Sequence, residues 1–283
     1  MAPRHPAPPY RRLQAYAFDP SLTQQLDTAL VNQATLKVPW EKTLGRGPAG
    51  EYVEVVDYDP ASGCFYEPVD LNDPHLLAQD GLPPSEGSPQ FHQQMVYAVS
   101  MRTIRNFEKA LGRLALWRPL PGSGGKPDEF VPRLRIYPHA LREANAFYSP
   151  EKRALLFGYF LATDSAGPGA PRGMVFTCLS HDIVAHETTH ALLDGMHRRF
   201  TEATNPDVLA FHEAFADVVA LFQHFSLPEA LQHQIAHTRG DLASQNLLGE
   251  LAQQFGQATG HYRSLRSAIG RVDPRTGQPD PGE

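Results

Sequence analysis

Apolar positions come in short strand-like bursts over the first two-thirds of the chain and at helical spacing in the last third. Residues 19–34, DPSLTQQLDTALVNQA, carry Asp19 or Ser21 as a cap ahead of spaced leucines, which predicts a short helix. Between 45 and 90 Gly, Pro and Asp are dense, and brief β-like pieces at 51–58 (EYVEVVDY) and 64–69 (CFYEPV) predict irregular strands joined by turns. From 89 to 117 the rhythm changes: Phe91, Met95, Val99, Thr103, Phe107 and Leu111 are four apart with no interior proline, which predicts one long helix. VPRLRIYP (131–138), ALLFGYFLA (154–162) and MVFTCL (174–179) then read as three short strands, the last two separated by the Gly- and Pro-rich loop 164–173.

After 180 the pattern is nearly all helical. Ser180 can cap a helix that has Asp182 in its first turn, against the positive end of the helix dipole, and Gly195 at its end. A second helix starts at Asn205 and Pro206, and Val208, Phe211, Phe215, Val218, Phe222 and Phe225 recur along it at intervals of three and four. Such a stripe predicts a face buried against a neighbour. Further helices are expected at 227–237, 241–258 and 261–269.

Domain organisation follows from these changes of texture. Residues 1–200 form an N-terminal α+β lobe that opens with a Pro- and Arg-rich flexible arm at 1–18; residues 201–270 form a helical lobe, and 271–283 a disordered tail. No internal repeat is present.

Composition narrows the function classes. The chain has 283 residues, 41% of them hydrophobic and 20% charged, enough for a sizeable core. Net charge is −6 and the 25 Lys and Arg are scattered, which argues against a nucleic-acid partner. Cys64 and Cys178 lack a C-x-x-C neighbour and read as buried free thiols. The first twenty residues hold no apolar run of signal-peptide type and no stretch reads as a membrane span, so the expectation is a cytoplasmic protein with no membrane partner. Histidine changes the picture: eight of the 13 lie between 181 and 237.

Within that region stands HETTHALLDG, residues 186–195. His186 and His190 are one helical turn apart, so both rings project from one face toward a common point, and a pair of neutral imidazoles at this spacing suits tetrahedral Zn²⁺. Glu187 lies beside that point, placed to take a proton from a metal-activated water. Two ligands alone bind weakly; HEAFADVVALF (212–222) on the next helix supplies Glu213 as the third and Asp217, four residues on, to accept a hydrogen bond from a ligand histidine.

H-E-x-x-H followed on the next helix by E-x-x-x-D resembles the gluzincin signature. DIVAHETTHALLD (182–194) and HEAFAD (212–217) are similar to the corresponding helices of the thermolysin-like neutral zinc metallopeptidases, and NAFYSPEKRALLFGYF (145–160) resembles that family's edge strand. The resemblance covers about residues 89–225 and implies an α+β, zincin-like fold. In that fold an N-terminal lobe with a mixed sheet and long helices carries the zinc helix, and a mainly helical C-terminal lobe follows, here shorter than the family's. It further implies a zinc endopeptidase with Zn²⁺ on His186, His190 and Glu213, Glu187 as general base, Asp217 behind a ligand, and a peptide or protein substrate bound along Asn145 and Ala146 near Tyr148.

The likeness is incomplete. The family stabilises the reaction's oxyanion with a tyrosine between the second and third ligands and with a later histidine. No tyrosine occurs between 190 and 213; His197 is the nearest polar substitute there and reads as solvent-exposed. His224, His233, His237 and His261 all read as helix-surface residues. Asp182 stands where a calcium-binding acid belongs, but no cluster of further carboxylates follows the third-ligand helix, so no calcium is expected. Two other readings stand beside the endopeptidase: a zinc-stabilised non-catalytic module, and an aminopeptidase-type gluzincin, for which the acidic motif that would anchor a free amine is missing.

Overall fold

The computed structural model describes residues 7–24, 28–122, 127–162, 173–197, 199, 200, 202, 204–239, 248, 250, 251, 266, 267, 271, 272, 279 and 280. The architecture is α+β, with a mixed sheet and several helices. The chain begins with a two-stranded antiparallel unit, β1 (Tyr10–Tyr16) and β2 (Gln33–Pro39). Leu13 and Ala15 on β1 and Ala34, Leu36 and Val38 on β2 point into the core while their sequence neighbours largely face out, the period-two pattern of a half-buried pair. The expected flexible arm at 1–18 is therefore corrected over its described part: Tyr10–Tyr16 is strand, its Arg content hiding a real alternation, and residues 1–6 lie outside the described residues. Arg11 is buried, hydrogen-bonded to the Leu71 carbonyl and to Asn72 Oδ1 at 2.7 Å, and stacked over Trp40 at 4.3 Å. The expected helix at 19–34 is corrected too. Pro20–Gln24 is a 3-10 turn and residues 33 and 34 begin β2, because Asn32 bonds Phe18 N and the Asp19 carbonyl and turns the chain back.

Strand β3 (Val53–Val55) enters the main sheet, and β4 (Tyr58–Asp59) pairs with β5 (Cys64–Phe65). After the short α1 (Pro74–Ala78) comes α2 (Pro89–Leu111), capped by Ser88 and ended by Gly112 in a left-handed conformation, six residues short of the predicted end at Trp117. From Phe91 to Met101 every residue of α2 is buried, so it is a central helix covered all round. Its glutamines are satisfied there: Gln93 bonds Val69 N and Asp57, and Gln94 bonds Leu82 N and the Gln14 carbonyl.

The main sheet is completed by β6 (Leu134–Leu141), β7 (Ala146–Ser149), β8 (Ala154–Leu161) and β9 (Met174–Phe176). Its order is β3-β6-β8-β7, with β3, β6 and β8 parallel and β7 antiparallel to β8. β7 pairs with the first half of β8 and β9 with the second, along one edge. At the junction lies Gly158, where a Cβ would come within 2.3 Å of the Glu143 carbonyl and 2.6 Å of the Asn145 carbonyl. Both contacts are backbone, so Gly158→Ala should push β7 away from the sheet. Overpacking of this kind costs about 1–3 kcal/mol. Thermal unfolding should show the loss, while Gly87→Ala, whose Cβ would meet nothing within 4 Å, should change stability by no more than about 0.5 kcal/mol.

A 3-10 turn at Thr177–Leu179, expected as strand, leads into α3 (His181–Met196), and α4 (Pro206–Phe225) and α5 (Pro228–Thr238) follow. Ser180 occupies the N-cap of α3 but its side chain does not cap; its hydroxyl bonds Asp182, whose carboxylate takes the Ile183 N–H at 2.9 Å. Gly195 does not end α3. It lets the helix approach residues 116 and 117, since a Cβ would fall 1.9 Å from the Leu116 carbonyl.

α4 departs furthest from expectation. Phe211, Val218 and Phe222 of its apolar stripe are exposed, and His212, Ala216, Ala220, Gln223 and His224 form the buried side. Small residues on that side allow close approach to α3, which the larger stripe would prevent. By length and composition α4 could cross a membrane, contrary to the reading that no stretch is apolar enough. His224, expected on a surface, is buried against Phe18 and His181. Of the helices expected at 241–258 and 261–269 and the disordered tail, the described parts other than Leu248 are paired strands: Glu250–Leu251 with Arg266–Ser267, and Arg271–Val272 with Pro279–Asp280. The remainder, with His261, lies outside the described residues.

Candidate metal centre

The site stands where α3 and α4 cross beside the edge strand β7. A chain of buried contacts fixes α3: Thr188 and Thr189 bond back to the carbonyls of Val184 and Ala185, and Thr188 also meets Ser100 of α2 at 3.0 Å. This holds the opposite face, with His186, His190 and Asp194 in line, toward α4 and β7. The α4 helix is anchored at its start by Asn205, whose side chain accepts the Val208 N–H at 3.2 Å.

His186 Nε2 and His190 Nε2 are 3.0 Å apart, and each is 3.4 Å from one oxygen of Glu213. The three donor atoms lie within 4.8 Å of one another. On the far side of the first ring, Nδ1 of His186 is 2.8 Å from Asp217 Oδ1. A carboxylate there accepts the ring proton, so the inner nitrogen is left as a lone pair facing the other imidazole. Facing lone pairs with a carboxylate alongside form a ready receptacle for a cation. Burial pulls the His186 ring down, but hydrogen bonds to Asp217 and Glu213 outweigh it and lift it to about 9. Glu213 is held well below the usual carboxylate range by hydrogen bonds from His186 and His190.

Glu187 is buried, and burial lifts its carboxyl above the ordinary value against the opposing pull of His186, His190 and the Tyr148 amide. Tyr148 N donates to Glu187 Oε2 at 2.9 Å, which ties the carboxylate to β7 and away from the three converging donors. Because Tyr148 N–H points outward from β8, register parity turns the backbone of Ala146 outward too, free for strand addition. The Asn145 carbonyl instead accepts from Gly158 N at 2.9 Å, within the sheet.

All eight residues singled out from the sequence, His186, Glu187, His190, Glu213, Asp217, Asn145, Ala146 and Tyr148, line one cleft of about 490 Å³. Its apolar walls include Phe147, Ile183, Leu209 and Leu251. His197 lies outside it, exposed.

Three parts of the site went unread in the sequence. Asp194 is buried and held by Tyr148 Oη at 2.8 Å and Arg118 at 3.1 Å; its place one turn beyond His190 was a signal, but Arg118, 76 residues away, gave none. His212 stacks on His190 at 5.9 Å and bonds the Phe200 carbonyl, holding the second ring from behind. The backbone amide of Tyr148 carries no mark in a side-chain pattern. Tyr148→Phe should leave the Asp194 carboxylate one donor short and cost about 1.5–3 kcal/mol, visible as a lower urea midpoint.

No protein-family model matches the chain, and no curated protein matches it.

Proposed function

We propose that the chain is a zinc-dependent metalloendopeptidase of the thermolysin-like, zincin-fold type, with Zn²⁺ on His186, His190 and Glu213. The observation that carries this reading is the convergence of those three donors within 4.8 Å beside a buried carboxylate, Glu187, that is not among them. Two imidazoles and a carboxylate around an open side are the donor set of catalytic zinc sites. Bound there, zinc supplies Lewis-acid polarisation of a carbonyl and lowers the pKa of water.

The chain's own groups do the rest. The substrate backbone adds to the edge of β7 at Ala146, which presents the scissile bond to the cleft. Glu187, its carboxyl lifted by burial, takes a proton from the attacking water and passes it to the leaving amine. The Tyr148 amide holds that carboxylate in place throughout. Asp217 fixes the His186 ring, and Phe147, Ile183, Leu209 and Leu251 favour a substrate with a large apolar side chain beside the cleaved bond.

One observation favours a second reading, a zinc-held module without catalysis. His212 also lines the cleft, and its Nε2 is engaged by the Phe200 carbonyl. Apart from the zinc-facing histidines, the described polar ring groups of the cleft, Tyr148 through its Oη and His212 through its Nε2, are thus both engaged away from an oxyanion. Incubation of the zinc-loaded chain with an unfolded protein, with products mapped by mass spectrometry, separates the two. Internal cleavage before large apolar residues or after them, abolished by a chelator, supports the peptidase; intact substrate with zinc bound supports the module.

A further inference from the structure

A second group of metal-ligand side chains lies in the core, apart from the cleft. His92 on α2, His139 on β6 and Cys178 in the turn before α3 are all buried, and one donor atom of each lies within 4.8 Å of the other two. Their surroundings resemble those of the cleft histidines. His92 Nε2 is 3.0 Å from the Glu86 carbonyl, which can only accept, so the ring carries its proton on that side. His139 Nδ1 is 2.6 Å from Asp57 Oδ1, and Gln93 holds the other oxygen of Asp57 at 2.8 Å.

With both outer nitrogens protonated, the inner ones face each other at 2.8 Å. Neutral rings would set two lone pairs against each other there, so a positive charge belongs between them, either one shared proton or a metal ion. A proton accounts for the two rings but gives Cys178 Sγ no part. A metal uses all three donors, and each histidine then has the outer-nitrogen partner that ligand histidines require.

We propose that His92, His139 and Cys178 form a buried site for a divalent transition-metal ion of zinc's class. Two imidazoles and a thiolate suit a borderline-soft ion and not magnesium or calcium, which take oxygen ligands. Charge agrees: a divalent cation is balanced by the Cys178 thiolate and the adjacent Asp57 carboxylate, in a site walled by Tyr66, Tyr159 and Phe176. Tetrahedral bonds of about 2.0–2.1 Å to each nitrogen set them about 3.3 Å apart, so the rings need open by only about half an ångström. Such an ion would pin α2 and β6 to the turn that launches α3, eight residues ahead of His186.

Expression of the full chain in medium with cobalt in place of zinc tests this without reference to activity. A thiolate on cobalt gives an intense near-ultraviolet sulfur-to-metal charge-transfer band, which the nitrogen and oxygen donors of the cleft cannot produce. The band should appear in the wild-type chain, persist in the His186→Ala, His190→Ala double variant with one metal equivalent, and vanish in Cys178→Ser with loss of one equivalent. A folded wild-type chain without the band overturns the proposal in favour of a shared proton, and a band that survives Cys178→Ser overturns it by assigning the thiolate to Cys64. Should Cys178→Ser not fold, X-ray absorption of the zinc-grown Cys64→Ser chain decides: sulfur among the zinc neighbours supports the site, nitrogen and oxygen alone overturn it. The cleft reading can fail separately, by loss of its metal equivalent or by zinc bound without peptide cleavage, and either failure would leave the band.

Discussion

Glu187→Gln is expected to lower turnover of a peptide substrate by about 10²–10⁴-fold, the usual contribution of a positioned general base, with metal content unchanged. The substitution keeps the shape of the side chain and its acceptor oxygen for the Tyr148 amide, so the cleft should stay intact. It removes only the ability to take a proton. Because Glu187 is not in the group of converging donors, zinc retention distinguishes loss of a base from loss of a ligand. Turnover at the wild-type level would sink the assignment, and loss of metal would show that Glu187 is a ligand.

Asp217→Asn is the second large effect, and it works through another residue. Asp217 accepts from His186 Nδ1 at 2.8 Å and so decides which nitrogen of that ring is bare. An amide in its place can present its NH₂ to the ring and reverse the tautomer, and the loss of such a partner typically costs 10–100-fold in metal affinity. Competition against a chromophoric chelator should show that weakening, while activity at saturating zinc recovers most of the wild-type value. A merely structural role would lower the unfolding midpoint and leave affinity alone.

How much of this was readable follows from the range of the interactions. Within one helix, spacing decides geometry: His186 and His190, or Glu213 and Asp217, must share a face once the segments are helical, and the caps at Asn205 and Pro206 mark where the second begins. The crossing of the two helices was legible only as chemistry, from the need of two histidines for a third ligand. Strand β7 was legible as the segment NAFY, but the outward turn of Ala146 and Tyr148 depends on pairing with β8 and on Gly158.

Elsewhere local pattern misled for physical reasons. In α4 the large apolar residues read as the buried stripe, yet close packing on α3 selects Ala216 and Ala220 and leaves Phe211 and Phe222 outside. Proline leads into β1 and arginine opens it, and the ordering contact is Arg11 with Leu71 and Asn72, about sixty residues away. His224 stands in a helix of polar and apolar neighbours alike, and only the return of residue 18 against it makes it core. Partners that distant leave no periodic trace in sequence.

In the proposed arrangement zinc sits on His186, His190 and Glu213 with Glu187 standing off it. A crystal of the zinc-loaded chain measured at the zinc absorption edge locates the ion directly. The expected result is an anomalous peak about 2.0–2.2 Å from His186 Nε2, His190 Nε2 and a Glu213 oxygen, with the Glu187 carboxylate outside bonding distance. No peak between α3 and α4, or one bonded to Glu187 in place of Glu213, would contradict it.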